Sequence, residues 1–542
     1  MGIRGRFGAW AVAPSAVALL VATGCTSAPD APAGPSGAPS AAGTSASAGT
    51  TGASGAGASG AGASGAGASG GSGAPVTPVA RVCDRAAAGP AKAPAGAVTV
   101  DPSVVGDLAA KTESSPPRTT FWLRPGTHRL GPDPYAQVVP KEGNRYLGAP
   151  GAVLDGEKVN QYAFGGTARD VTIRHLTVQR FVAPRDEGVV NHDMADAWVI
   201  EHTTVQDNSG AGLMAGARQR LRASCLRRNG QYGMNAYKTG DSLRGLLVEG
   251  NEIVGNNTDD WERRQPGCGC TGGIKFWAVD GADVRGNWVH DNRGAGLWAD
   301  TNNNDFLVEG NVIEANDGAA LMYETSYNAV VKNNTVRRNN WVEGRAYAKD
   351  GDTFPYATVY VSEAGGEPRV PARTDRIEIY GNVLEDNWNG ITLWENADRF
   401  CNSPANTSTE YCTLLVKDTG RCARPAIASA PLYDDCRWRT QRVDIHGNRF
   451  VLDASVVGCG PECGRMAVLA NEGTAPDWSP YKGRRVAEAI THRQGNRWHD
   501  NTYLGPWSFV AGDQSRTLDP ERWRGLPYRQ DEGSTFGPRA GG

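Results

Sequence analysis

One short phrase recurs along the middle of this 542-residue chain: an apolar residue, two spacers, Asn, one spacer, a second apolar residue, two spacers and a second Asn. Copies that follow without an insertion begin 21 to 27 residues apart, and in the first two copies Thr or Ser replaces the first Asn. The copies begin at Ile200, Leu221, Val248, Val284, Val308, Val331 and Ile379. A fixed period of this size indicates a solenoid, in which each unit buries its apolar face only against its neighbours.

The solenoid that this phrase predicts is a right-handed parallel β-helix. Val, Ile and Asn occupy the positions that a leucine-rich repeat fills with Leu, and Gly and Asn recur too often for helical repeats. β-branched residues favour strands, and the Gly-Asn pairs favour tight turns between them. Asn side chains stacked at equivalent turns can hydrogen-bond from coil to coil. We therefore expect an all-β fold with about three strands per coil.

The N-terminus carries a targeting segment over residues 1–24. Arg4 and Arg6 precede an apolar stretch, Ala11 to Ala22, that is too short to span a bilayer stably. The sequence ATGC at positions 22–25 resembles a bacterial lipobox, and the resemblance implies cleavage before Cys25 and attachment of lipid to Cys25. An ordinary secretory signal is the alternative.

Composition divides the rest of the chain into a tether, a folded body and a short tail. Residues 25–80 are mainly Ala, Gly, Ser, Thr and Pro, so they have little to bury and predict a disordered tether with a reach of about 40 Å. Residues 81–536 are expected to form one elongated domain, and residues 537–542 a disordered tail. With a lipid at Cys25, the protein would be extracellular, anchored to the outer face of the bacterial cytoplasmic membrane.

The cysteines agree with export to an oxidising compartment. Eleven Cys are present, and removal of Cys25 leaves an even number that suits disulfide bonds. We expect local bonds between neighbours in sequence, and the pairs are Cys401 with Cys412, Cys422 with Cys436 and Cys459 with Cys463.

The pairing of four other cysteines is open at the level of sequence. Only Gly269 separates Cys268 from Cys270, so a direct bond between them would be strained, and each is a candidate partner for Cys83 or Cys225. A zinc site is disfavoured because no Cys-x-x-Cys pair and no nearby His pair is present.

Charge excludes one class of partner. The chain has 55 Lys and Arg against 58 Asp and Glu, a net charge of −3, with no basic run or stripe. Nucleic acid is therefore not an expected partner. The sequence does not predict an oligomeric state.

Several segments resemble a known group of proteins. Residues 121–128 (FWLRPGTH) and 147–156 (LGAPGAVLDG) are similar to the opening coils of exported pectate-lyase-like β-helices, and residues 518–523 (LDPERW) with 530–534 (QDEGS) resemble a closing segment of that superfamily. Residues 294–300 (GAGLWAD), 323–327 (YETSY) and 393–401 (LWENADRFC) resemble bacterial right-handed β-helix repeat proteins. A modest helical pattern over 102–113 is expected to cap the N-terminal end. The superfamily contains polysaccharide lyases, glycosidases, epimerases and proteins without chemistry, so the resemblance implies a fold and not a reaction.

A second set of strands follows the Asn phrases and predicts a functional face. Strand alternation points one group of side chains inward, namely Leu297, Ala299, Leu321, Tyr323, Ile391 and Leu393. It points the other group to a single outer face, namely Lys275, Trp277, Trp298, Asp300, Met322, Glu324 and Trp394. Several exposed Trp beside acidic groups predict a sugar-binding groove, in which Trp277, Trp298 and Trp394 contact substrate. In the alternative, these Trp lie beneath the insertions at 258–271 and 342–374.

Asp300 and Glu324 are the leading catalytic candidates. They occupy equivalent places in successive coils, so their carboxyl groups are expected about 5 Å apart, the separation of a retaining glycosidase pair. Mutual repulsion would raise the pKa of one, which then acts as the acid while the other acts as nucleophile or base. Glu395, one step past this column, is a reserve candidate.

Two other readings of these residues stay open. No cofactor is firmly implied, but Asp300, Asn302 and Asn304 begin like a calcium loop, without its Gly and bidentate Glu. Lys275 is a candidate base for a lyase or epimerase. The adjacent pairs at 192–193 and 290–291, each His-Asp, are expected to be turn residues rather than catalytic dyads.

The sequence therefore predicts a surface-anchored, carbohydrate-active β-helix. Its partner would be a polysaccharide or cell-surface glycan, which an enzyme would cleave, with hydrolysis favoured over elimination. The alternative is a glycan-binding or adhesion protein without catalysis.

Overall fold

The computed structural model describes residues 81–85, 88–237, 242–261, 272–351, 354–403, 414–416 and 418–539. The predicted targeting segment, Cys25, the tether, Cys268, Cys270 and Cys412 lie outside these residues. Within the described residues no helix is long and apolar enough to cross a membrane.

The described residues form three sheets. Two strands that are consecutive in the chain usually belong to different sheets. Sheet A comprises Val98–Val100, Thr120–Leu123, Arg145–Gly148, Thr172–Arg174, Val199–Glu201, Arg220–Arg222, Leu243–Glu249, Val279–Arg285, Asn304–Glu309, Ala329–Lys332, Ile377–Tyr380, Val443–His446 and Arg497–His499. Sheet B comprises Gly126–Arg129, Ala152–Asp155, Thr177–Gln179, Thr204–Gln206, Cys225–Arg227, Glu252–Val254, Trp288–His290, Val312–Glu314, Thr335–Arg337, Val383–Glu385, Arg449–Val451, Thr502–Leu504 and Thr535–Gly537. Sheet C comprises Gly188–Val190, Ala211–Met214, Tyr232–Ala236, Gly272–Phe276, Ala295–Ala299, Leu321–Glu324, Val359–Ser362, Ile391–Asn396, Arg465–Asn471, Ser508–Ala511 and Thr517–Leu518.

The pairing of these strands confirms the predicted right-handed parallel β-helix. Among the described residues, neighbouring strands pair in parallel except at the last strand of sheet C, Thr517–Leu518, which runs antiparallel to Ser508–Ala511. The apolar positions of the repeated phrase align from coil to coil, as Val248, Val284 and Val308 do in sheet A. These side chains belong to one continuous core. Burial of each Val or Ile contributes about 1.5–3 kcal/mol, which is why the phrase specifies the coil.

The Asn residues of the phrase form two ladders along the axis, as expected. In each ladder the side-chain amide of one Asn donates to Oδ1 of the equivalent Asn in the next coil, over 2.9–3.1 Å. One ladder runs through Asn208, Asn229, Asn256, Asn292, Asn316, Asn339 and Asn387. The other runs through Asn251, Asn287, Asn311, Asn334, Asn382, Asn448 and Asn501. The ladders satisfy the polar groups of tight turns that are buried between coils.

Both ends of the solenoid are covered. The helix Asp107–Ser114 lies at the N-terminal end with Leu108 in the core, which confirms the predicted cap. At the other end, helix Pro520–Arg524 places Trp523 against Phe509, with ring centroids 4.8 Å apart. The final strand, Thr535–Gly537, extends one residue past the predicted domain end, and Arg539 beyond it forms an ion pair with Asp386.

The remaining helices lie in the connections between strands. Within the described ranges they are Trp341–Lys349, Leu432–Asp435, Ala454–Val457 and Arg485–His492, with 3-10 turns at Thr419–Ala423 and Pro425–Ala428.

Disulfides fasten the connections to the coils. Cys422 bonds to Cys436 and Cys459 to Cys463, as predicted from their spacing. Cys83 bonds to Cys225, so the candidate bonds from Cys268 or Cys270 to either of these two are wrong. Sequence spacing does not show this pair, because segment 81–85 returns to sheet B across 142 residues of chain. Cys401 is also disulfide-bonded.

Candidate functional site

The predicted outer column of sheet C is in register. Lys275 pairs with Trp298, and Trp298 with Met322, on neighbouring strands. Ala299 pairs with Tyr323, so Asp300 and Glu324 are the next residues of those two strands. The residues predicted to point inward, Leu297, Ala299, Leu321, Tyr323, Ile391 and Leu393, all lie in the core.

The open Trp-lined groove is not present, and that prediction is wrong in this respect. Trp298, Trp277 and Trp394 expose only 2%, 4% and 5% of their surface. Phe354 packs against Trp394 with ring centroids 5.0 Å apart, and the Tyr356 hydroxyl lies 3.8 Å from Sδ of Met322. Strand alternation identifies the outer face of a strand but not what covers that face. Here part of the insertion at 342–374 covers it, which was the alternative interpretation.

Two of the predicted catalytic residues form a buried ion pair. Nζ of Lys275 lies 3.0 Å from Oδ2 of Asp300, and both side chains are buried. The same ammonium group lies 4.2 Å from the centre of the Trp298 ring and 5.7 Å from that of Trp277. Thr301 donates a hydrogen bond of 2.9 Å to Oδ1 of Asp300. The Asp300 carboxylate is therefore held by one cation and one hydroxyl.

Glu324 has a weaker counterion. The indole N–H of Trp298 donates to Oε2 of Glu324 over 2.7 Å, and Nη1 of Arg399 lies 3.9 Å from Oε1. The same Arg399 nitrogen lies closer, at 3.5 Å, to the buried carboxylate of Glu363. Glu363 also accepts hydrogen bonds from the Ser362 hydroxyl and from the Asn396 backbone N–H. The guanidinium of Arg399 thus lies near two carboxylates, and it is closer to Glu363 than to Glu324.

Charge counting leaves one proton for this network, and Glu324, which has the weaker counterion, is the group that holds it. The buried network holds three acidic side chains, Asp300, Glu324 and Glu363, against two cations, Lys275 and Arg399. Burial raises the pKa of Glu324 to about 8; Arg399 opposes this rise, while the charges of Asp300 and Glu363 add to it. Burial also raises the pKa of Glu363, but Arg399 and the hydrogen bond from Ser362 oppose that rise. With that proton bound the network is neutral, which is the charge state that a dry environment favours. One buried acid is therefore protonated at neutral pH, while its neighbour is ion-paired.

Glu395 belongs to a separate network. Its Oε1 lies 3.1 Å from Nη2 of Arg437, and its Oε2 accepts hydrogen bonds from the Thr440 backbone and from Gln494. The structure describes no contact between Glu395 and Asp300 or Glu324.

The predicted calcium loop is engaged in protein contacts. The amide of Asn304 donates to Asp280, and its Oδ1 accepts from Asn328. Within the described residues no group of three or more His, Cys, Asp or Glu is arranged to hold a metal ion.

Sequence reasoning did not identify Glu363 and Arg399 as members of this network. Ser362 is the residue that pairs with Glu324, and Glu363 follows it with a left-handed backbone, φ 45°, so the column alignment does not predict the position of Glu363. The strand Val359–Ser362 lies inside the segment 342–374, which was expected to be an insertion, so its place in sheet C could not be seen from the repeat. Arg399 lies in the segment 393–401 that carried the family resemblance, but its distance in sequence from Glu324 gave no sign of contact.

Part of the chain matches the model of a known protein family. The family description "Right handed beta helix region" matches residues 188–409. No curated protein sequence matches the chain. Among solved structures, the A-module of a mannuronan C-5 epimerase from Azotobacter vinelandii is 13% identical, covering 82% of this chain and 96% of that one, with a TM-score of 0.43.

Two further solved structures have similar values. The catalytic unit of an α-1,3-glucanase from Streptomyces thermodiastaticus is 12% identical, covering 84% of this chain and 70% of that one, with a TM-score of 0.38. An alginate lyase in complex with a trisaccharide is 11% identical, covering 82% and 85% of the two chains, with a TM-score of 0.37. Such values do not transfer chemistry to this chain.

Proposed function

We propose that this protein is carbohydrate-active and hydrolyses a polysaccharide, with Glu324 as the proton donor and Asp300 as the partner carboxylate. The observation that carries the proposal is that Asp300 has a close counterion whereas Glu324 has a more distant, shared one. Glu324 keeps its proton near neutral pH, because burial raises its pKa to about 8, whereas Asp300 is paired with Lys275. A protonated acid beside an ion-paired carboxylate is what acid-assisted cleavage of a glycosidic bond requires.

The charge balance favours hydrolysis over elimination. A lyase that acts on a uronate needs a base and also a cation or hydrogen-bond donor for the substrate carboxylate. Here Lys275 already forms an ion pair with Asp300, and Arg399 already lies between the carboxylates of Glu324 and Glu363. Neither cation is therefore left to pair with a substrate carboxylate. A neutral sugar has no carboxylate that needs a further cation. A neutral polysaccharide therefore fits this network better than a uronate polymer does.

For this reaction a polysaccharide must reach the buried carboxyl group of Glu324. Phe354 and Tyr356 lie over the outer column, and the substrate reaches Glu324 only when this cover is displaced. Displacement would expose Trp394 and Met322, and with them the indole of Trp298, whose N–H already donates to Glu324. A sugar stacked on that indole would lie beside the proton donor. Trp277, Trp298 and Trp394 therefore remain the proposed substrate-binding residues.

The predicted location belongs to the proposal as well. A lipid on Cys25 and a tether over residues 26–80 would place the folded body outside the cell, close to polysaccharides of the cell surface or the medium. Calcium at Asp300, Asn302 and Asn304 is a less favoured proposal, since Asp300 and Asn304 already have protein partners.

The burial of the acidic pair also favours a second candidate function, which is glycan binding without catalysis. Asp300 and Glu324 expose 0% and 1% of their surface, and a buried charge network of this kind can be purely structural. In that case the protein would be an adhesion or glycan-binding β-helix.

One screen separates the candidates. Neutral and uronate polysaccharides are incubated with the protein, and new reducing ends and unsaturated-uronate absorbance are measured. Reducing ends without unsaturated products indicate hydrolysis, and both signals together indicate elimination. If glycans bind but neither signal appears with any substrate, the non-catalytic candidate is favoured.

Three variants then test the residues. Asp300→Asn and Glu324→Gln are each expected to lower turnover by about a hundredfold or more, the usual effect of removing an acid–base group. The matched control is Glu367→Gln, which alters a buried carboxylate that is bound to Arg369 and has no described contact with Asp300 or Glu324, and it should retain turnover. Hydrolysis that survives both Asp300→Asn and Glu324→Gln would exclude this pair as the catalytic residues.

A further inference from the structure

A second site lies on sheet B, away from the buried acidic pair. A cleft of about 720 Å³ opens over four neighbouring strands, Cys225–Arg227, Glu252–Val254, Trp288–His290 and Val312–Glu314. Residues of segment 81–84 line it on one side, and Trp341 and Val342 also line it. Its volume is in the range of about 300–1,000 Å³ that is typical of sites for small molecules.

Buried charged groups line this cleft in a fixed arrangement. Nδ1 of His290 lies 2.6 Å from a carboxylate oxygen of Asp291, and Nε2 lies 3.3 Å from Oε1 of Glu252. Glu252 also accepts hydrogen bonds from the backbone N–H groups of Val82 and Cys83. The expectation that His290 and Asp291 are both turn residues is wrong for His290, which ends the strand Trp288–His290, and its imidazole contacts the Asp291 carboxylate. Asp291 has a left-handed backbone conformation, φ 52°, which turns its side chain back toward the imidazole.

Trp288 connects His290 to Glu314. Its ring stacks on His290 with centroids 3.8 Å apart, and its indole N–H donates to Oε1 of Glu314 over 2.8 Å. Arg338 donates to the other oxygen of Glu314 over 3.0 Å. The guanidinium of Arg81 lies 5.5 Å from the centre of the Trp288 ring, and its side chain is 69% exposed. A solvated side chain thus lies over the Trp288 ring, and the attraction of such a side chain to a ring is weak.

The charges that line the cleft balance. Burial disfavours a charge on His290, but its hydrogen bonds to Glu252 and Asp291 outweigh burial and raise the pKa of His290. With His290 protonated, the cleft has five positive side chains, Arg81, Arg227, Arg228, Arg338 and His290. It has five negative side chains, Asp84, Glu252, Asp291, Glu314 and Asp317. Such a lining offers many donors and acceptors but no net attraction for a polyanion.

We propose that this cleft binds a short, neutral stretch of a glycan chain, separately from the proposed catalytic pair. Sugar hydroxyls would bond to the exposed edges of Asp291 and Arg338, and the apolar face of one sugar ring would displace Arg81 and stack on Trp288. The cleft is one element of a surface that a long polysaccharide could follow, so binding here would hold substrate near the domain without contacting the reacting bond.

Calorimetric titration tests the proposal, using the full chain with Asp300→Asn so that ligands are not cleaved. The probes are short neutral oligosaccharides of glucose, xylose and N-acetylglucosamine, with oligogalacturonate as the anionic comparison. Neutral probes are expected to bind, and Trp288→Ala is expected to weaken that binding by about tenfold or more, the loss typical of an aromatic anchor. Trp288→Phe, which keeps an aromatic face, should retain most of the affinity.

Two controls isolate the cleft. Arg81→Ala removes the competing cation, so affinity should stay equal or rise, and Trp478→Ala, which changes an exposed Trp outside the cleft, should have no effect. Arg338→Ala serves if Trp288→Ala does not fold, and it too should weaken binding. Unchanged affinity in a folded Trp288→Ala protein or in Arg338→Ala would overturn the proposal. So would tighter binding of oligogalacturonate than of every neutral probe.

Discussion

Replacement of Glu324 with Gln tests the protonation state on which the proposed chemistry depends. Gln keeps the shape of the side chain and can still accept the indole N–H of Trp298, but it never carries a charge. If the folded protein holds Glu324 in its neutral form, the substitution imitates the native state. If Glu324 is instead an anion that balances Arg399, the substitution removes half of a buried ion pair.

The sign and size of the effect follow from the pKa. The pKa of Glu324 is raised from 4.5 to about 8, so between these values the folded state holds a proton that the unfolded state releases. The stability of the parent therefore falls as pH rises through this window, by about 1.4 kcal/mol per pH unit. The loss reaches about 3 kcal/mol at pH 7 and about 5 kcal/mol above pH 8. Glu324→Gln lacks this loss, so relative to the parent it should gain stability as pH rises.

Hydrogen exchange is the appropriate assay, since a solenoid can open in parts and its overall melting temperature averages over coils. Exchange of the strand Leu321–Glu324 is measured by mass spectrometry at several pH values between 5 and 8, after correction for intrinsic rates. The variant is expected to protect this strand better than the parent at pH 8 and about equally at pH 5.

Glu367→Gln is the control with the opposite sign. Burial opposes the charge of Glu367, but hydrogen bonds from Arg369 outweigh burial and lower its pKa. The stability it contributes is present at neutral pH and is lost as pH falls, so Glu367→Gln should be less stable than the parent at neutral pH. A Glu324→Gln protein that is destabilised at pH 7 by several kcal/mol would refute the neutral form of Glu324, and with it the assignment of the acid.

Four other predictions concern the remaining elements. Asn311→Ala should destabilise the protein by roughly 3 kcal/mol or more, measured by urea denaturation, because it removes the buried hydrogen bonds of the Asn311 side chain to its ladder partners on both sides. Phe354→Ala should raise kcat/KM on polysaccharide if the cover limits access, and unchanged kinetics would count against that role. Cys25→Ser should release the protein from membranes without loss of fold; equal membrane association of variant and parent in fractionation would contradict lipid attachment. Mass mapping of unreduced peptides should find Cys401 bonded to Cys412, and a different partner would show that the insertion closes otherwise.

Much of the site's framework was predictable from single residues of the repeat. The spacing of Val248, Val284 and Val308 fixes the stacking of coils, and with it the Asn ladders and the outer column that contains Lys275 and Trp298. Asp300 and Glu324 were found in the same way, because their places in successive coils are equivalent. Each of these inferences depends only on contacts between neighbouring coils, and the period of the sequence directly indicates which residues make those contacts.

The state of that column was decided by contacts that have no period. Phe354 covers Trp394, Arg399 inserts between Glu324 and Glu363, and Cys83 returns to sheet B to bond with Cys225. The sequence alone therefore determined the coil, the ladders and which side chains face outward. Only the tertiary structure determined that these side chains are buried and that Glu324 shares its cation. The physical reason is that repeat contacts depend on local spacing, whereas insertions pack by shape and charge against residues far away in the chain.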